Sequence, residues 1–248
     1  MRKILPATVV LWLFLVAGTT NSADEQGDVK AIIERAQQTH GGAAKLSNFK
    51  AATWKGKGTF HGAGDARPFT AEYAVQFPDK SRFDISGEMG FRFIMVCDGK
   101  KGWVHVGDEN REMDEATVAE RKEDIFSSWL ATLAPLIDKG VTLSALGESK
   151  VSDRTAVGVK AAAKGHRDLR LYFDEETGLL AKAASMTKDP GSNVELEEEH
   201  LYSDYGDVEG VKRAMKIKVM RSGQVYVDVT YSDYKLAEKL DDKVFVEP

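Results

Sequence analysis

Motifs for chemistry are scarce in this chain. A single cysteine, Cys97, excludes an internal disulfide, so stability must come from packing. The five histidines (His40, His61, His105, His166 and His200) are scattered without metal-ligand spacing, and no His-Glu-x-x-His occurs. There is no Gly-x-Ser-x-Gly elbow and no Walker loop. Gly56-Lys57-Gly58 begins like a dinucleotide fingerprint, but His61 replaces its third glycine and no helical pattern follows. Basic residues are also in the minority, 34 against 39 acidic, for a net charge of −5. An acidic surface disfavours nucleic acid and anionic membranes as partners. The expectation is a protein that is not an enzyme and carries no cofactor or metal.

The amino terminus has a layout of its own. Arg2 and Lys3 precede an apolar run from Ile4 to Val16, followed by small and polar residues from Ala17 to Ala23. That run is too short and too abruptly ended for a membrane span and reads as a secretory signal peptide over residues 1–22, cleaved between positions 18 and 23. No cysteine lies there to take a lipid anchor, so the expected product is exported, periplasmic and not integral to the membrane. Removing Arg2 and Lys3 leaves 32 basic residues against 39 acidic, near −7. The remaining chain, residues 23–248, suffices for one large domain.

Periodicity orders this domain. Val29, Ile32, Ile33 and Ala36 form a helical stripe that Gly41-Gly42 stops, and a short turn follows through Ala43 to Leu46. The period then becomes two. Trp54, Gly56, Gly58 and Phe60 share one face of a strand whose glycines mark a bend, and Phe69, Ala71, Tyr73, Val75 and Phe77 alternate in the next. Pro78 to Phe83, Phe91 to Cys97 and the Asp98-Gly99 turn before Trp103 continue the meander, with Asp98-Gly99 expected as a two-residue turn. Cys97, alternating with Phe91, Phe93 and Met95, reads as a small buried apolar group. Glu115 to Lys139 returns to a helical pattern that Pro135 should kink or shorten. Beyond it, strands bracket turns at Asp174–Gly178, Glu209-Gly210 and Ser222-Gly223. The sum is about eleven strands without sustained βα alternation: an α+β chain with one large antiparallel sheet and helices on one face.

Three clusters remain. Glu195, Glu197, Glu198 and Glu199 beside His200 could serve acid–base chemistry, but a solvated face neutralised by Lys216 and Lys218 is the simpler expectation. Tyr-Ser-Asp-Tyr occurs at Tyr202–Tyr205 and Tyr231–Tyr234, read as neighbouring strands ending alike. Aromatic residues crowd the chain before residue 130, either as ordinary core or as the wall of a greasy cavity between sheet and helices suited to an acyl chain. Trp54, Tyr73, Phe93, Trp129 and Leu133 are the candidate lining residues, chosen for size and placement, with the helix from Glu115 to Lys139 as a lid.

Pro78, Arg82 and Phe83 in a Pro-x-x-x-Arg-Phe strand, the Asp98-Gly99 turn with Trp103, the Leu169–Leu180 hairpin, and the tail bearing Tyr202, Asp204, Tyr205, Gly210, Val211, Leu240, Asp241, Phe245 and Pro248 together resemble the LolA-like superfamily. This superfamily contains periplasmic lipoprotein carriers and lipoprotein-sorting-like proteins. The resemblance implies an unclosed half-barrel whose concave face is covered by helices, with a hydrophobic cavity for lipid or lipoprotein acyl chains. It implies a binding or carrier protein of outer-membrane lipoprotein sorting, with an envelope protein that loads or receives cargo. The alternative is an interaction or envelope-stress-sensing domain on the same fold with no lipid cargo.

Overall fold

A computed structural model describes residues 22–248 except 63, 190, 191 and 193, with backbone alone for 22–27. Most of the expected signal peptide thus lies outside the described residues. A first helix, α1 (Ser22–Thr39), and a short α2 (Ala43–Asn48) precede the sheet. The strands β1 (Ala51–Phe60), β2 (Arg67–Gln76), β3 (Lys80–Gly87), β4 (Arg92–Asp98), β5 (Gly102–Val106) and β6 (Glu109–Glu112) form its first half. Helix α3 (Glu115–Leu130) and a 3₁₀ turn (Ala134–Ile137) cross to the second half. That half holds β7 (Val141–Val151), β8 (Arg154–Ala163), β9 (Leu169–Asp174), β10 (Leu180–Lys188), β11 (Glu195–Val208), β12 (Val211–Arg221) and β13 (Gln224–Ala237).

All 13 strands belong to one unclosed sheet, in the order β6-β5-β4-β3-β2-β1-β13-β12-β11-β10-β9-β8-β7. Every ladder is antiparallel, and β1 and β13 close the centre, so chain neighbours pair throughout and the edges β6 and β7 are joined by α3. No helix of the described residues is long and apolar enough to cross a membrane.

Helix boundaries follow the local chemistry. α1 stops where Gly41 (φ 120) and Gly42 (φ 92) take left-handed backbone. A Cβ on Gly41 would sit 2.4 Å from the Gly210 carbonyl oxygen, so the helix exit packs directly on the β11–β12 turn. At α3, Asp114 Oδ1 accepts from Thr117 N at 2.7 Å as N-cap. The helix ends at Leu130, five residues short of Pro135, which opens the separate 3₁₀ turn after Leu133 at φ 68.

The main core lies over the second half of the sheet. Val29, Ile33 and Ala36 of α1, Phe126 and Leu130 of α3, and Leu133 and Leu136 pack on Val159, Ala161, Leu169, Leu171 and Phe173. Gln37 Nε2 donates to the Leu133 carbonyl at 2.8 Å and locks α1 to the turn that ends α3. Cys97 is fully buried with Val118 and Ile125, and burial pushes its thiol up.

Several expectations change in detail. The sheet has two strands more than the periodicity revealed. β6 is exposed along its length and shows no alternation, whereas β7, an edge strand, alternates half-buried and exposed positions only as far as Leu146, before Gly147 at a register shift. The β4–β5 turn has one left-handed residue, Gly99 (φ 94), not two, because Asp98 Oδ1 instead accepts from Lys100 N and Lys101 N. The glutamates of β11 meet Arg170, Lys182 and Arg221 rather than Lys216 and Lys218, since the register sets Lys216 and Lys218 opposite Ser203 and Leu201.

The β9–β10 hairpin hangs on Asp174, only 6% exposed. Its carboxylate accepts from Arg154 at 2.6 and 2.8 Å and from both Thr177 N and Thr177 Oγ1. The Arg154 guanidinium, helped by Thr177, holds the carboxyl well below its ordinary 3.8 despite burial. A depressed carboxylate stabilises the fold above its unfolded value, and that contribution is lost as pH falls through the folded value. Asp174→Ala should therefore cost about 1–3 kcal/mol at pH 7 by urea denaturation. The gap from the unmodified protein should narrow at about pH 3; an unchanged gap would contradict this account.

Candidate functional site: an aromatic-lined hollow in the sheet

Over the first half of the sheet and its centre, the concave face encloses a hollow of about 1110 Å³. The small-molecule pockets of proteins span roughly 300–1,000 Å³. Its floor comes from β1, β2 and β13. Trp54 is stacked between Tyr73 (5.2 Å, 13°) and Tyr234 (5.4 Å, 21°), while Tyr231 stands edge-on to Trp54, Tyr73 and Tyr234 at 5.5–6.0 Å. Trp54 and Tyr73 are direct cross-strand partners. Such ring pairs are worth about 0.5–1.5 kcal/mol each beyond area burial.

The glycines of β1 let neighbouring strands and rings approach it closely. A Cβ on Gly56 would meet Tyr73 Cε2 at 2.9 Å, and one on Gly58 would meet the Asp228 carbonyl oxygen at 2.3 Å. Phe83, Ile85 and Phe93 extend the wall on one side, and Ile217, Val219 and Val229 extend it on the other.

Helix α3 roofs part of the hollow with Arg121, Ile125 and Ser128, positions sharing one helical face. The Arg121 guanidinium lies 4.1 Å from the Phe83 ring centre and 3.3 Å from Asp124. This roof is pinned at both sides. Lys122 Nζ donates to the Gly99 carbonyl at 3.0 Å, and Glu123 accepts from His166 Nδ1 and Arg167 N at 2.8 and 3.0 Å.

The two ends of the hollow differ. At one end Phe60, Val219 and Val227 lie in register, and beside them the β3–β4 connection carries Met89, fully exposed at φ 52, and Phe91, 52% exposed. Glu198 lies toward this end between His200 Nε2 and Arg221 Nε, each 2.8 Å away. Burial would raise this carboxyl, but His200 and Arg221 outweigh it and hold it down to about 2. Arg221 also stacks 3.7 Å over Tyr226. At the opposite end Tyr202, Tyr205, Tyr234, Arg213 and His40 converge. Burial keeps His40 neutral, pushed down to about 4, with Nδ1 donating to the Ala36 carbonyl at 2.7 Å. Burial also pushes Tyr73 and Tyr234 up to about 12, so both phenols remain neutral donors.

Of the candidate residues, Trp54, Tyr73 and Phe93 stand on the wall of the hollow, whereas Trp129 and Leu133 do not. Leu133 is fully buried in the main core, and Trp129 packs against that core, edge-on to Phe126 at 5.6 Å. The face of α3 toward the hollow is the one bearing Ile125 and Ser128.

The Tyr-Ser-Asp-Tyr repeats are what periodicity alone undervalued. They do not end neighbouring strands: β12 runs between β11 and β13, which continue to Val208 and Ala237. Both aspartates, Asp204 and Asp233, have left-handed backbone at φ 53. Asp204 falls out of the β11–β12 ladder, and Asp233 lies in the β1–β13 register shift. Residues i and i+3 of a regular strand face opposite ways. Here the irregularity turns both tyrosines of each repeat to the hollow. The recurring aspartate between tyrosines was the signal, since Asp tolerates positive φ better than most residues.

No protein-family model matches this chain, and no curated protein matches it. Solved structures do. A LolA superfamily protein from Nitrosomonas europaea aligns over 88% of this chain and 97% of its own at 15% identity and TM-score 0.53. A DUF1329 family protein from Desulfovibrio piger aligns over the same shares, 88% and 97%, at 13% identity and TM-score 0.56. A protein described as an outer-membrane lipoprotein-sorting domain, from Vibrio parahaemolyticus, also aligns over 88% and 97%, at 9% identity and TM-score 0.51. The fold is therefore LolA-like, an unclosed antiparallel half-barrel.

If the left-handed aspartates set the wall, Asp204→Val and Asp233→Val should each lower stability by about 1–2 kcal/mol, because a β-branched side chain resists positive φ. The glycine variants should change it little. Thermal midpoints of the four proteins check this, and equal effects of Val and Gly would refute it.

Proposed function

We propose that this protein is an exported binding or carrier protein for a hydrophobic ligand, most simply the acyl chains of a lipid or lipoprotein, acting in the periplasm. The observation that carries this reading is the 1110 Å³ hollow walled by aromatic and aliphatic side chains beside a fully packed core. At roughly 0.8 kcal/mol per buried methylene, a sixteen-carbon chain offers on the order of 12 kcal/mol before ordering costs, with no polar contact required. Trp54, Tyr73 and Phe93 line the ligand, and α3 is its cover. The lipoprotein-sorting description of one solved neighbour supports a carrier over a catalyst. A protein-interaction or sensing domain on the same fold needs no empty interior, so the hollow favours the ligand.

Native mass spectrometry of protein purified without detergent should find lipid adducts, and the stripped protein should take up a fluorescent fatty acid. Ile217→Trp, which adds bulk to the wall, should weaken that uptake by about tenfold with little change in thermal midpoint. Protein recovered free of lipid that also ignores the fatty acid would refute carriage.

A further inference from the structure

We propose that the hollow is directional: it takes an amphiphile with an anionic head, a carboxylate or phosphate, bound by Arg213 between the two Tyr-Ser-Asp-Tyr segments, with the tail running toward the Met89–Phe91 rim. This deepens the hydrophobic-ligand reading and rests on it.

Three cations in or beside the hollow are already paired. Arg121 faces Asp124 at 3.3 Å, Arg221 holds Glu198 at 2.8 Å, and Lys212 has Asp207 at 3.9 Å. Arg213 also lines the hollow, yet among the described residues no carboxylate lies within ion-pair distance of it. The ring centre of Tyr234 lies 5.9 Å from its guanidinium. A half-buried guanidinium without a counter-charge is costly to keep, and an anion supplied by a ligand removes that cost.

The surroundings suit an anion. Arg213 is on β12 opposite Gly206, so the β11 repeat flanks it on one side and the β13 repeat on the other. Tyr205 donates its hydroxyl to the Leu180 carbonyl at 2.6 Å. Tyr202 and Tyr234, by contrast, make no hydrogen bond to described residues, which leaves two phenolic donors beside the guanidinium. Burial holds both phenols in the protonated, donating form. His40, neutral and committed to the Ala36 carbonyl, adds no competing acid.

Geometry gives the tail its direction. Val219, in register with Val227 and hence Phe60, lies six residues along β12 from Arg213, about 20 Å at ~3.3 Å per residue. Between these points the wall is Trp54, Tyr231, Ile217 and Val229. The far end carries the exposed Met89 and Phe91 together with Arg67 and Glu88, and the carboxylate of Glu198 there is already held by His200 and Arg221.

The test compares laurate, dodecyl phosphate and dodecanol, which share a tail and differ in the head, by calorimetric titration of the full chain. The anions should bind about tenfold or more tightly than the alcohol, the scale of a charge-assisted hydrogen bond. Which anion binds better identifies the head. Arg213→Met should abolish the preference of the anions over dodecanol, and Tyr202→Phe with Tyr234→Phe should narrow it. Equal binding of all three ligands by the unmodified protein, or a preference that survives Arg213→Met, overturns the proposal and leaves the hydrophobic-ligand reading intact. Binding of none overturns both. The head-group comparison on the unmodified protein decides the matter even if the variant does not fold.

Discussion

The three α-helices of the described residues cannot cover a sheet of 13 strands. α1 and the end of α3 settle on the β7–β10 half, where small and branched residues such as Ala161, Val159 and Leu171 let helices approach closely. What remains over β1–β3 and β11–β13 is a concave surface with too few side chains to fill it. Large aromatic residues project there and pack on one another sideways, Trp54 against Tyr73 and Tyr234, instead of meeting a facing layer. A native interior otherwise fills to crystal-like density, so an unfilled apolar volume of this size is a property that calls for an occupant.

Polar groups around the hollow are arranged to make it rigid. The roof helix is tied on one side through Lys122 to the β4–β5 turn, and on the other through Glu120 and Glu123 to Arg167 and His166. Glu198, His200 and Arg221 satisfy one another near the mouth. The left-handed aspartates of β11 and β13 fix the tyrosine rows. These ties set Arg213 apart from Arg121 and Arg221, since it lacks a carboxylate partner among the described residues.

Much of the fold was legible in the chain. The helical stripe ending at Gly41-Gly42, the strict alternation of Phe69 to Phe77 and the Asp174–Gly178 turn each follow from local rules that the structure obeys. Hidden features depended on tertiary context. β6 has no buried face to alternate, and β7 is an interrupted edge. The partners of the β11 glutamates depend on strand register, which no local pattern encodes. Trp129 and Leu133 belong to the same apolar helical face as Phe126 and Leu130, and only the termination at Leu130 decides that this face meets β8 and β9. For the hollow, Trp54, Tyr73 and Phe93 were recognisable as large residues on inward strand positions. The second tyrosine of each repeat was not, because strand alternation predicts the opposite face until the left-handed aspartate is known.

The proposed carriage requires the interior to accept a hydrocarbon chain against Trp54. The most direct measurement is fluorescence of the protein with Trp12, Trp103 and Trp129 replaced by phenylalanine, titrated with a fatty acid brominated in mid-chain. Bromine quenches indole only on close contact. Saturable quenching of Trp54 is the predicted result. Quenching no greater than in a companion protein whose one remaining tryptophan is Trp103, buried in a separate cluster with Phe245, would contradict it.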